Sequence, residues 1–184
     1  LRFGIPEENR GLKAGQIAEA KKTLFSALDL LNYKRMRMFV HGDWRQLPEM
    51  PPANGAPEDS SKIRFYLRFG ADANNYYEYG FDVYSGWNTK YNNIDIDLDE
   101  MARIKAREDL NIGTTDRPEY VLRLNNKPDA YYKAVGLPSL KTIRYFIIGV
   151  KHRGDRPGRD PSDFIGEIWI NELRLNDFVE NGGW

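Results

Sequence analysis

Residues 62–84 read KIRFYLRFGADANNYYEYGFDVY. Over 62–69, Ile63, Phe65, Leu67 and Phe69 fall on one side and Lys62, Arg64, Tyr66 and Arg68 on the other. Side chains alternate across a strand with a period of two, so this pattern predicts a strand with one buried face. Over 75–84 the pattern repeats, with Tyr77, Tyr79, Phe81 and Val83 facing in and Glu78 and Asp82 facing out. The intervening GADANN consists of turn formers. The two segments therefore predict an antiparallel pair that sets Arg64 and Arg68 near Asp82 and Glu78. Such cross-strand pairs on an outer face fix register but contribute only ~0.2–1 kcal/mol each.

Working outward, residues 34–41 place Met36, Met38 and Val40 on one face, and 142–150 are apolar on both faces from Tyr145 onward, as suits a central strand. A last strand is expected over 164–175, with Ile168 and Ile170 on one side and Trp169 on the other. Its phase shifts at Leu173 and Leu175, which predicts a bulge near Asn171–Glu172. A single helix is expected near 98–107, capped by Asp97 with Glu100 three residues on. The stretch 14–31 admits two readings, a helix by propensity or a segment that ends in a strand over Thr23–Leu28. Residues 46–61 and 151–163, rich in Pro, Gly and polar groups, read as surface loops. Many strands, one short helix and such loops predict a mainly β fold, an antiparallel β-sandwich of jelly-roll type resembling many carbohydrate-binding modules. The expected division is an N-terminal extension over 1–33, partly a first strand, followed by a sandwich domain over 34–184. Trp169 and Ile147 are expected in its core, so that Trp169→Ala would cost ~3–5 kcal/mol.

The 184 residues carry 27 basic and 27 acidic side chains and no cysteine. The neutral balance gives no general pull toward nucleic acid or anionic lipid. No disulfide or thiolate chemistry is available, and no apolar run approaches the ~20 residues a membrane helix needs. The chain opens at LRFGIPEENR without an initiator Met, which reads as a piece of a longer protein.

Catalysis finds little support in the motifs. Glu167 and Glu172 are five residues apart, which in a strand puts them on opposite faces unless a bulge restores the phase. DIDLDE at 95–100 opens like a calcium loop but has Glu100 where glycine is needed and Ala106 in place of the closing glutamate. His41 and His152 have no partner pattern and are expected to face solvent. The RGD at 153–155 is interspersed with other charges and is read as part of a surface loop. No cofactor is expected, although jelly rolls of this shape often hold a structural calcium. Tyr76, Tyr84, Trp87, Tyr91, Tyr131 and Tyr132 are candidates for exposed aromatics, and core filling accounts for about half of them.

Several motifs resemble those of one family in the right order. GLPSLKTIRYFIIGVKH at 136–152 and GEIWINELRLNDFVENGGW at 166–184 resemble segments of the SprA/Sov family, the giant outer-membrane translocon of the type IX secretion system. Leu137 stands where that family usually has Asn, and Lys151–His152 where it has Arg-Asn. Upstream, NYKRMRMFVHGD at 32–43, LRFGADANNYYEYGFDV at 67–83, NIDIDLDEMARIKARED at 93–109 and GIP at 4–6 are similar to further family motifs.

The resemblance implies a non-catalytic structural and interaction domain of a secretion and gliding-motility translocon. Such a domain would help to cap the pore or hold partners, with the rest of the parent chain, other secretion components or cargo as its contacts. It implies an outer-membrane location, in a soluble part facing outward, with the periplasmic side as the other option. Trp87, Tyr91, Tyr131 and Tyr132 are the expected contact residues, along with apolar groups of the 46–57 loop. The alternative is a carbohydrate-binding module. Trp and Tyr on one flat sheet face would favour the module, and a contact surface of loops and helix edge would favour the translocon.

Overall fold

The computed structural model describes residues 2–4, 11–51, 61–125, 127 and 129–178. It is a β-sandwich of two antiparallel sheets. The strands run β1 (Arg2–Gly4), β2 (Ile17–Leu28), β3 (Tyr33–Gly42), β4 (Ile63–Asp72), β5 (Asn75–Asp82), β6 (Asn93–Asp97), β7 (Glu119–Arg123), β8 (Tyr131–Val135), β9 (Ile143–His152), β10 (Glu167–Ile170) and β11 (Arg174–Phe178). One helix, α1 (Leu98–Arg103), is followed by short 3-10 turns at Ile104–Ala106 and Glu108–Leu110. The larger sheet has the order β2-β9-β4-β5-β8-β7. In the smaller, β10 and β11 share one edge of β3, β6 takes the other edge, and β1 lies beyond β10.

Apolar alternation fills the space between the sheets. Phe65, Leu67, Phe69, Tyr77, Tyr79 and Phe81 of the larger sheet meet Met36, Met38, Val40, Ile94, Ile96 and Ile168 of the smaller, all at most 2 % exposed. The α1 helix starts as its sequence dictates: the Asp97 side chain accepts from the Glu100 amide, and Leu98 and Met101 are buried. The stretch 14–31 resolves as strand. Ala-rich 17–23 satisfies its backbone against the open edge of β9, Ile17 opposite Lys151 through Thr23 opposite Tyr145, and pairing overrides helix propensity. Between Thr23 and Leu28 the ladder is interrupted, because β9 offers only Arg144 between Tyr145 and Ile143 while β2 supplies four residues.

The expected bulge in the last strand is present. Ile170 pairs with Val40 and Arg174 with Arg37, so three residues of one strand face two of the other. Asn171 sits in the gap, where its amide donates to the Phe39 carbonyl at 3.2 Å and its Oδ1 accepts from the Phe39 amide at 2.9 Å. The polar side chain replaces the ladder bond that the bulge breaks. Leu173 and Leu175 then pack, partly buried, against the core.

Three expectations fail on the outer faces. Trp169 lies outside the sandwich at 41 % exposure, because it alternates with the inward Ile168 and Ile170. Ile147 is only partly buried, on the outer face of the larger sheet, against a small cluster of Tyr76, Val135 and Tyr145. His152 is fully buried rather than solvent-facing. Its Nδ1 accepts from the Gly154 amide at 3.0 Å, so the proton sits on Nε2, which donates to the Ser162 carbonyl at 2.8 Å.

The outer charges of β4 and β5 are paired as predicted, Arg64 opposite Asp82 and Arg68 opposite Glu78, but they are not on a wet surface. Asp82 is 1 % and Glu78 5 % exposed. The 151–163 loop folds back over Asp82, while Tyr131 and Arg68 cover Glu78. Arg153 bonds Asp82, and Arg159 reaches Asp82 at 3.3 Å and Asp129 at 3.1 Å. Lys62 clamps the loop from below through Asp160 and the Ser162 hydroxyl, each at 2.9 Å. Arg153, the first residue of the RGD, is therefore buried in an ion-pair cluster.

Candidate functional site

The outer face of the smaller sheet divides into two parts. At one end charges pair off: Asp95 is bonded by Arg35 and Arg37, and Asp97 by Arg35, at 3.1–3.2 Å. These two carboxylates also line a cleft of about 530 Å³ with Tyr132, Lys127 and Glu100. Of the DIDLDE carboxylates, Asp95 and Asp97 are thus engaged in ion pairs, and Asp97 also caps the helix. Among the described residues, no group of three or more His, Asp or Glu is placed to hold a metal. Lys127 donates to the Asn93 carbonyl, and burial draws its pKa down to about 8.

At the other end the face is aromatic. Trp169 on β10 stands directly opposite His41 on β3, and the two rings stack at 5.0 Å between centroids and 27° between planes. Trp87 meets the same imidazole at 5.1 Å and 58°. His41 is thereby held between two indoles. Its Nδ1 is shut off from solvent with no hydrogen-bond partner among the described residues, at a cost of about 1–3 kcal/mol. Such local rule-breaking collects at functional sites. Phe39 lies two residues along the same face and is 41 % exposed.

Local sequence explains how these rings meet. Gly42 and Gly86 exchange backbone hydrogen bonds, Gly42 to the Gly86 carbonyl at 3.2 Å and Gly86 to the Gly42 carbonyl at 2.8 Å. A Cβ on Gly42 would lie 2.2 Å from the Tyr84 carbonyl oxygen, and Gly86 has φ +71°, a region that favours glycine. The two glycines let the 84–92 loop approach the sheet and deliver Trp87 beside His41. Asn92, fully buried, fixes that loop: its Nδ2 donates to the Tyr84 and Gly86 carbonyls and its Oδ1 accepts from the Tyr84 amide.

Asp43 shapes the opposite wall. Its Oδ1 accepts from the Arg45 amide at 2.9 Å and its Oδ2 from the Glu167 amide at 3.3 Å, tying the 43–47 turn to β10. This presents Trp44, 69 % exposed with the Arg45 guanidinium over its ring. Glu167 accepts the Trp169 indole N–H at 2.7 Å and fixes the orientation of that ring. His41, Asp43, Trp44, Arg45, Glu167 and Trp169 line an open cleft of about 320 Å³.

Of the contact residues expected from sequence, Trp87 is half exposed and belongs to this aromatic region. Tyr91 is partly buried and packs on Tyr84 at 5.3 Å, in the same loop. Tyr131 lies on the outer face of the larger sheet, donating to Glu78 at 2.7 Å under the Arg64 guanidinium; burial and the neighbouring Glu78 push its phenol well above the usual range. Tyr132 is a core residue at 3 % exposure, its hydroxyl accepting from the Asp97 amide at 3.0 Å. The four are not brought together. In the 46–57 loop, Met50 is exposed and Leu47 buried; positions 52–57 lie outside the described residues. Sequence reasoning missed Trp44, Trp169 and His41. For Trp169 and His41 the signal was available, since both fall out of phase with the inward Ile168, Ile170 and Val40.

Fold and surface thus define a class: a β-sandwich domain with a core of Tyr, Phe and aliphatic side chains and with its described tryptophans on an open aromatic face. Comparison with protein families then places it. The model of the SprA_N family, described as a motility related/secretion protein, matches residues 8–184, and the chain belongs to that family. Comparison with curated proteins and with solved structures gives no match.

Proposed function

We propose that the chain is a non-catalytic structural and interaction domain of a large outer-membrane translocon of the type IX, gliding-motility-associated secretion system. It helps to cap the pore or hold partners on the outward-facing side. Its principal partner is the rest of the parent chain, with other secretion components or cargo beyond it. Membership of a motility and secretion family supports the process. The observation that carries the interaction role is the edge strand β2. Its outer edge has no strand beside it among the described residues, and its bulge projects Phe25 fully into solvent, flanked by Ile17 at 54 % and Leu31 at 57 % exposure. A long edge with exposed apolar side chains is a template for pairing, and isolated domains ordinarily blunt such edges. The unpaired backbone of 24–27 and the Phe25 ring suit a neighbouring segment of a larger protein. No helix of the described residues is long and apolar enough to cross a membrane.

The test is a photo-crosslinking residue at Phe25 in the full-length parent, expressed in its own cells. The expected product is a crosslink to the parent chain or to another secretion component, and Phe25→Asp should impair secretion. Absence of any crosslink, with normal secretion by Phe25→Asp, would overturn the reading.

A further inference from the structure

We infer that the aromatic cleft on the smaller sheet is a binding subsite for a neutral carbohydrate, independent of the β2 edge. Three observations carry this. First, the core is assembled from Phe, Tyr and aliphatic residues, while the three described tryptophans are 41–69 % exposed and gather at one end of one sheet face. Tryptophan left in water around one spot marks a contact site rather than scattered surface. Second, two of the three rings are held in place before any ligand arrives. Trp169 is stacked on His41 and pinned through its N–H to Glu167, and Trp87 is fixed by the Gly42–Gly86 approach. Preorganised flat surfaces lose little freedom on binding. Third, the cleft mixes those flat apolar faces with both signs of charge.

That mixture selects the ligand. An anion would face the Asp43 and Glu167 carboxylates, and a cation would face the Arg45 guanidinium in the same lining. A purely apolar peptide side chain would strip water from all three without returning hydrogen bonds. A pyranose ring has the complementary character. Its C–H face packs on an indole, and its hydroxyls both donate to a carboxylate and accept from a guanidinium. Each Asp43 oxygen accepts one backbone N–H and retains a further acceptor position. The cleft volume of about 320 Å³ lies at the small end of ligand sites, which suits one or two sugar units. A single shallow subsite of this kind binds with Kd on the order of 10⁻⁴ to 10⁻³ M.

The test uses the purified 184-residue chain in native gels cast with neutral polysaccharides (β-1,3-glucan, β-1,4-glucan and α-mannan) and with alginate as an anionic control. Saturable retardation by at least one neutral polysaccharide is expected, changing less than about twofold between 50 and 500 mM salt, since no counterion is released. Trp44→Ala and Trp169→Ala should each weaken it tenfold or more while unfolding at close to the parent temperature. Phe25→Ala, at the other surface, should bind normally. No retardation by any neutral polysaccharide, retardation by alginate alone, or binding indifferent to both tryptophan variants would each overturn the assignment. So would a screened peptide that binds through Trp44 and Trp169 in the absence of glycan binding. None of these results bears on crosslinking at Phe25, so the two readings fail separately.

Discussion

Replacing Asp82 by Asn removes one charge from a nearly dry cluster and changes almost nothing else in shape. The Asp82 side chain has no solvent exposure, and its three cationic partners Arg64, Arg153 and Arg159 are only 12, 4 and 6 % exposed. With Asp129 included, the cluster carries three positive and two negative charges; the variant leaves three against one. Each ion pair at ~4 Å is worth about 4 kcal/mol at an effective dielectric of 20. Against that stands the desolvation of a buried carboxylate, strong enough that burial pushes the Asp82 pKa up despite the arginines around it. The net loss on removing one partner of a buried pair is ~3–5 kcal/mol, equivalent to roughly 6–20 °C in melting temperature for a domain of this size. Glu172→Gln is the matched control: its pair with Arg174 is 69 and 68 % exposed and should matter by less than ~0.5 kcal/mol. Urea unfolding of both variants measures the difference. An Asp82→Asn loss below ~1 kcal/mol would show that water screens the cluster and that the 151–163 loop does not seal it.

His152→Ala breaks both hydrogen bonds that join β9 to the Gly154 amide and Ser162 carbonyl and leaves a cavity, so a loss of ~2–4 kcal/mol in chemical unfolding is expected. Trp169→Ala, by contrast, should cost no more than ~1 kcal/mol by the same measurement, because the ring is on the outer face. Acid should loosen the loop. Burial raises the Asp160 pKa, but hydrogen bonds from Lys62 and Ser162 outweigh it and hold the carboxyl at about 2. Its stabilising contribution is therefore complete above the unfolded value near 4 and is lost as pH falls toward 2. The protection factor of the Ser162 amide, its exchange rate relative to an unstructured chain at the same pH, should fall across that window, and Asp160→Asn should abolish that fall.

Period-two alternation made β3, β4 and β5 readable, because each has one face against the other sheet, and a run apolar on both faces made β9 readable as the interior strand it is, between β2 and β4. The Asn171 bulge was readable too, since a phase shift in apolar positions has few other causes. Alternation fixes only which side a residue faces, and says nothing of what covers that side. Glu78 and Asp82 face outward as read, yet the 151–163 loop and Asp129 close over Asp82, and Tyr131 and Arg68 over Glu78. His152 was misread for the same reason, being the last residue of a strand over which a loop returns. Trp169 was misread by letting size and hydrophobicity override its phase. The aromatic face itself depends on the approach of Gly42 and Gly86, separated by 44 positions, which no local pattern announces.

The central claim is that this sandwich serves as an interaction domain through the open edge of β2. Amide hydrogen exchange across 17–28, compared between the isolated chain and the full-length parent, tests it most directly. The account predicts rapid exchange at 24–27 in the isolated chain, where those amides stand off the β9 ladder, and protection of at least tenfold in the parent. Equal exchange in both states would contradict it.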